Sequence, residues 1–136
     1  MFTVQRRVEF RDTDAAGIVH FSAFFPMMES AEHEMLRSMG ISVFPKSAPN
    51  EHPLSWPRVS ASCDYLSAAQ FEDLLRIDVH VAQIGNSSVT YRFKFTRDEV
   101  VVAEGSLTVV CCLLTPKGLS KTPIPAELRE LFQKHL

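Results

Sequence analysis

Cysteine is scarce in this chain: three residues of 136, Cys63, Cys111 and Cys112, an odd number without metal-ligand spacing. Such a set builds neither a disulfide framework nor a zinc site, and it suits a reducing cytoplasm, the expected location. Glycine is scarce too, at five residues. There is no Gly-rich phosphate loop, no G-x-S-x-G and no H-E-x-x-H, so the common phosphoryl-transfer, serine-hydrolase and zinc-protease patterns are absent. Positive charge is not in excess. Fourteen Lys and Arg against sixteen Asp and Glu leave a formal net charge of −2, which excludes a long-range field that would draw the chain to nucleic acid. Long apolar runs are missing as well. The longest, Leu107 to Leu114, is interrupted by Thr108 and falls far short of the ~20 residues of a membrane helix. Residues 1–9 alternate and carry Arg6 and Arg7, unlike a signal peptide.

What is present describes a globular chain. Apolar residues make up 46% and charged residues 22%, enough apolar surface to offset the entropy of ordering. The length predicts a single domain over residues 1–136. Residues 2–10 alternate, with Phe2, Val4, Val8 and Phe10 on one side and only Arg6 breaking it, which predicts a half-buried strand. The turn-rich segment Arg11-Asp12-Thr13-Asp14-Ala15-Ala16-Gly17 follows. Phe24, Met28, Ala31, Met35 and Met39 then recur at helical spacing, with Gly40 as the stop and Pro26 required to lie in the first turn.

Residues 41–55, with Pro45, Pro49 and Pro53, read as a loop. Three strands centre on Val59–Tyr65, Leu75–Val81 and Val89–Phe95, and a fourth runs from Val100 to Leu114. Gly85-Asn86 and Arg97-Asp98-Glu99 stand where hairpins would turn. Pro125 opens a short C-terminal helix with Leu128, Leu131 and Phe132 on one face. Strands in meander spacing, segregated from helices, predict an α+β fold with an antiparallel sheet. A sheet of five strands curved around one apolar helix leaves two edges, and edges are commonly covered by a second copy.

Candidate chemistry concentrates at Asp12-Thr13-Asp14-Ala15-Ala16-Gly17-Ile18-Val19-His20-Phe21. The plain reading is a strand-to-helix turn whose carboxylates bond local amides. The segment nevertheless runs into the start of the long helix, where unpartnered amides carry partial positive charge. Such an amide can polarise a carbonyl while a nearby carboxylate attacks it or activates water. Glu29, Glu32 and His33 have spacing that can bind metal, but such a set is more often a solvated or interfacial polar stripe. Trp56 reads as a packing anchor and the three thiols as inert strand residues.

The stretch Phe10-Arg11-Asp12-Thr13-Asp14-Ala15-Ala16-Gly17-Ile18-Val19-His20-Phe21 resembles the signature of the 4-hydroxybenzoyl-CoA thioesterase family of hotdog-fold proteins. The likeness continues through Met28-Glu29-Ser30-Ala31-Glu32, Tyr65-Leu66-Ser67-Ala68-Ala69-Gln70-Phe71-Glu72-Asp73 and Ser87-Ser88-Val89, about residues 3–115. It implies a hotdog fold: a five-stranded antiparallel sheet wrapped around one long central helix, followed by a short C-terminal helix. It also implies hydrolysis of an acyl-CoA or acyl-carrier-protein thioester with no metal or other cofactor, in a homodimer or homotetramer with sites at the dimer interface.

By the same resemblance Asp14 is the catalytic carboxylate, as nucleophile or general base, and the Phe21 backbone N–H contacts the thioester oxygen. Gly17, His20, Ser87 and Ser88 become substrate-binding positions, and Asp12 orients the loop. The chain departs from the family in three places. Many members have a histidine where Phe21 stands, after an aromatic where His20 stands. The turn Gln83-Ile84-Gly85-Asn86-Ser87 has no Lys or Arg, where the prototype holds CoA phosphates. Pro26 also stands where members usually carry a helix-compatible residue. These departures keep a second expectation open, a non-catalytic hotdog domain that binds an acyl-thioester or a protein partner. A hotdog hydratase or dehydratase is disfavoured, because its signature is not evident.

Overall fold

The computed structural model describes residues 1–43 and 51–136; Pro45 and Pro49 of the expected loop lie outside the described residues. In chain order the elements are β1 (Phe2–Arg7), α1 (Phe24–Ser38), β2 (Leu54–Ser55), β3 (Arg58–Tyr65), β4 (Leu74–Ile84), β5 (Ser88–Arg97), β6 (Val100–Val110), β7 (Cys112–Thr115), β8 (Gly118–Lys121) and α2 (Ala126–Gln133). Short 3-10 turns at Phe10–Asp12 and Phe21–Ala23 join β1 to α1. Five strands form one antiparallel sheet in the order β1-β4-β5-β6-β3, and β2, β7 and β8 form a small second sheet. A hotdog architecture results: a sheet curled around a long helix.

Alternation explains the core. Leu75, Ile77, Val79 and Val81 of β4 and Val89, Tyr91, Phe93 and Phe95 of β5 are all buried, as are Phe24, Met28, Ala31 and Met35 of α1. Gly105 of β6 is where helix and sheet approach closest. A Cβ there would overlap the Met28 sulfur and come within 3.4 Å of the Ser62 carbonyl oxygen, so the helix sits against bare backbone. Pro26 falls in the first turn of α1 and Gly40 ends it at φ +77°, both as expected. Trp56 is the packing anchor expected of it, buried edge-on against Phe132 of α2 at 5.7 Å.

Three expectations need correction. The first strand stops at Arg7, because Glu9 and Asp12 cap each other's backbone and coil the chain into a 3-10 turn that leaves Phe10 exposed. Arg6, the odd residue on the apolar side, is half-buried and bonds Ser30 and Glu34 of α1. The run from Val100 to Leu114 is two strands. At Cys111 the backbone N–H donates to the Ser87 carbonyl (2.6 Å) and the carbonyl accepts from Thr122 N–H (2.9 Å), which carries the chain out of the main sheet. In β3, Val59 and Tyr65 are exposed, so the alternation there marks an uncovered edge strand, not a buried face.

Candidate active site

The segment from Thr13 to Val19 is a small hairpin. Thr13 bridges Val19, the Asp14 N–H donates to the Ile18 carbonyl (2.9 Å), and Gly17 at φ +80° completes the turn with its N–H on the Asp14 carbonyl (3.0 Å). That φ is the physical reason for glycine here. One Asp14 carboxylate oxygen accepts from Ala16 N–H at 2.8 Å; the other has no hydrogen-bond partner among the described residues. Asp12 orients the loop, as expected: its carboxylate accepts from Glu9 N–H (2.8 Å) and its carbonyl from His20 N–H (2.7 Å).

The backbone beyond the hairpin accounts for almost every donor. Val19 N–H goes to Ala69, His20 N–H to Asp12, Ser22 N–H to the His20 ring and Ala23 N–H to the His20 carbonyl. Phe21 N–H alone among residues 19–23 has no acceptor among the described residues. Phe21 is therefore an uncommitted donor at the start of the helical segment. Its side chain is 63% exposed.

Asp14 and Phe21 line the same cleft, about 390 Å³ in volume, whose other walls are Ile18, Val19, Phe24, Tyr65 and residues 66–69. The walls are mostly apolar and Asp14 supplies the ionisable group. Thus the loop, the helix start and the end of β3 converge on one carboxylate and one free amide.

His20 packs its ring on that of Phe21, with centroids 4.5 Å apart, yet does not line the cleft. It caps the 3-10 turn, with Nδ1 accepting from Ser22 N–H (3.2 Å) and lying 2.7 Å from Ser22 Oγ, and its ring faces the neighbouring groove with Arg6, Arg7 and Arg11. Ser87 and Ser88 lie at the opposite end of the sheet. Ser88 pairs with Val110, whereas Tyr65 shares its row with Ala103 and Phe95, about 23 Å further along the strand. Within one chain the structure therefore unites Asp14, Phe21 and the base of the Gly17 turn, leaves His20 against the Phe21 ring but outside the cleft, and separates all of these from Ser87 and Ser88. The turn at Gly85-Asn86 does receive a cation, which its own sequence lacks: Arg129 of α2 donates to both carbonyls, at 2.9 and 3.1 Å.

The expected polar stripe on α1 is different in kind. Glu32 is fully buried and Arg58 of β3 grips it with two bonds, 2.5 and 3.0 Å, while also reaching Glu29 at 3.3 Å. Burial pushes the Glu32 carboxyl above its ordinary range despite the Arg58 guanidinium, and burial pushes His33 down. Among the described residues no cluster of three His, Cys, Asp or Glu side chains is arranged for a metal. Sequence reasoning also passed over Tyr65 as a site residue. It quoted the tyrosine only as part of a strand, and no local pattern marks a strand-end tyrosine as facing a cleft.

The hotdog fold recurs in known proteins. The thioesterase-like superfamily pattern matches residues 8–132. The chain belongs to the thioesterase-like superfamily. A 1,4-dihydroxy-2-naphthoyl-CoA hydrolase of Nostoc punctiforme is 32% identical over 127 residues, covering 93% of this chain and 83% of that one. The acyl-CoA thioesterase YbgC of Haemophilus influenzae is 24% identical over 96% of this chain and 93% of its own. Among solved structures, Slr0204 of Synechocystis, a 1,4-dihydroxy-2-naphthoyl-CoA thioesterase, superposes with a TM-score of 0.83 at 26% identity, covering 97% of this chain and 95% of that one. This thioesterase-like chain is a thioester hydrolase, as expected. No helix among the described residues is long and apolar enough to cross a membrane.

Proposed function

We propose that this thioesterase-like protein hydrolyses acyl-CoA thioesters at the Asp14 cleft. The observation that carries the reading is the pairing of an Asp14 carboxylate oxygen and a Phe21 N–H, neither with a partner among the described residues, both on residues lining one apolar cleft. The thioester carbonyl oxygen accepts the Phe21 N–H, which stabilises the negative charge that develops on it. Asp14 either attacks the carbonyl carbon or takes a proton from the water that does. When Asp14 attacks, the C–S bond breaks to leave an acyl-aspartyl anhydride, which water then hydrolyses to the free acid and Asp14. When Asp14 activates water, the hydroxyl adds to the carbonyl carbon and the C–S bond breaks directly to the free acid. In both routes the sulfur takes up a proton and leaves as CoA thiol. The aromatic walls of Phe21, Phe24 and Tyr65 suit an aryl acyl group, in line with the naphthoyl-CoA substrates named for the relatives. The uncovered β3 edge is the surface on which a second copy would extend the sheet.

The test is thiol release measured across aryl, short-chain, branched and long-chain acyl-CoAs, with acyl-carrier-protein thioesters alongside. Aryl-CoA is expected to turn over best. Asp14→Asn should keep the fold and lose at least ~10²-fold in kcat, the scale of a lost catalytic acid or base. Binding of acyl-CoA by the parent with no thiol release would make the protein a binding module instead.

A further inference from the structure

The 3-10 turn that presents the free amide is only lightly anchored: none of Phe21, Ser22 and Ala23 is buried, and Ala23 packs only partly buried against the core. Besides the bond from Ala23 N–H to the His20 carbonyl (2.9 Å), two hydrogen bonds hold it. On one side Ser22 N–H is seated on the His20 ring. On the other, the Tyr65 hydroxyl at the end of β3 donates to the Phe21 carbonyl oxygen at 2.9 Å, across 44 residues of sequence. The Tyr65 ring is itself braced against buried Phe24, with centroids 5.4 Å apart. The neighbouring Cys63 thiol is pushed up to about 11 by burial, so it stays neutral.

The Phe21 N–H shares a peptide plane with the His20 carbonyl, which the Ala23 N–H holds. The Tyr65 and His20-ring bonds fix the next plane, that of the Phe21 carbonyl and Ser22 N–H, so together the three limit rotation about the Phe21 φ and ψ and hence the direction of its N–H. We propose that Tyr65 is a positioning residue for thioester hydrolysis: its hydroxyl pins the Phe21 carbonyl to the edge of the sheet and so keeps the free Phe21 N–H aimed at the thioester oxygen in the Asp14 cleft. This rests on the Asp14–Phe21 reading. A donor aimed where charge develops acts in the transition state more than in substrate binding, so its misalignment lowers kcat and leaves KM nearly unchanged. Complete loss of one such donor costs roughly 10²–10³ in rate. Tyr65 is one of three hydrogen-bonded fixtures on the turn, so losing its hydroxyl costs less, about tenfold.

The experiment is Tyr65→Phe in the full chain, which removes one oxygen and keeps the ring on Phe24. The expected result is a kcat lower by about tenfold with KM within twofold. A kcat within twofold of the parent overturns the proposal, even if the variant melts earlier, since a merely structural tie would lower only stability. A rise in KM with kcat unchanged also overturns it, because Tyr65 would then be touching substrate. A second readout needs no turnover. Amide hydrogen exchange at Ser22, whose N–H is held in the same turn, should speed up at least fivefold in Tyr65→Phe. Unchanged exchange removes the latch whatever the activity. If the parent itself releases no thiol while the exchange result holds, the hydrolase assignment fails and the latch stands.

Discussion

Removing Arg58 tests how the helix is stapled to the edge of the sheet. Glu32 is wholly buried on α1, with a side chain only 1% exposed, whereas the Arg58 side chain is 26% exposed. The two partners are therefore unequal: in Glu32→Gln the arginine can turn to Glu29 and water, but in Arg58→Ala the carboxylate stays buried with no counter-charge. Breaking a buried pair in that sense costs about 3–5 kcal/mol. For a chain of this size each kcal/mol is worth roughly 3–5 °C, so the melting temperature should fall by about 10–20 °C.

The pH dependence has a definite sign. Burial already holds the Glu32 carboxyl above its ordinary 4.5 in the folded protein. The folded state thus keeps a proton that the unfolded chain has released, and stability falls as pH rises through that window. Arg58 opposes this shift, and without it the window widens upward. The deficit of Arg58→Ala should therefore be larger at pH 8 than at pH 5, measured by thermal melts of variant and parent at both values. Replacing both residues by methionine should restore most of the loss, since apolar side chains of similar volume substitute well for a buried pair. A variant within ~3 °C of the parent at pH 8, or a deficit larger at pH 5, would refute the reasoning.

Two further outcomes bear on the cleft. Phe21→Leu should keep kcat within threefold and cost far less stability than the ~3–5 kcal/mol of a buried aromatic, because that ring is 63% exposed; an amide-to-ester replacement between His20 and Phe21 should instead cut kcat by roughly 10²–10³, and an ester variant as fast as the parent would remove the amide from the mechanism. His20→Ala should lose about 1 kcal/mol of stability, the usual value of a helix-start cap, with a kcat loss smaller than that of Asp14→Asn. If His20→Ala also loses one limb of its pH–rate profile, His20 is transferring protons and not merely capping.

The elements of this fold were legible wherever the physics was local. Period-two alternation marked the buried strands of the sheet's centre, and helical spacing with Pro26 and Gly40 bounded the long helix. The turn Asp14-Ala15-Ala16-Gly17 is local as well, since it rests on one left-handed residue and one side-chain-to-backbone bond, so its neighbours marked the turn, and the family resemblance singled out Asp14 within it. The break at Cys111 was not, because β-branched residues continue through it and the two bonds that divert the chain come from Ser87 and Thr122. Nor was the burial of Glu32, which depends on an arginine 26 residues away arriving on an edge strand. That His20 faces another groove, that Ser87 and Ser88 lie at the far end of the sheet, and that Tyr65 reaches the Phe21 carbonyl were likewise decided only by the tertiary structure. Sequence pattern records which face of an element avoids water, because burial is common to a whole face. It carries no record of which polar tip meets which carbonyl, because a single hydrogen bond between distant segments exists only once the sheet has curled around the helix.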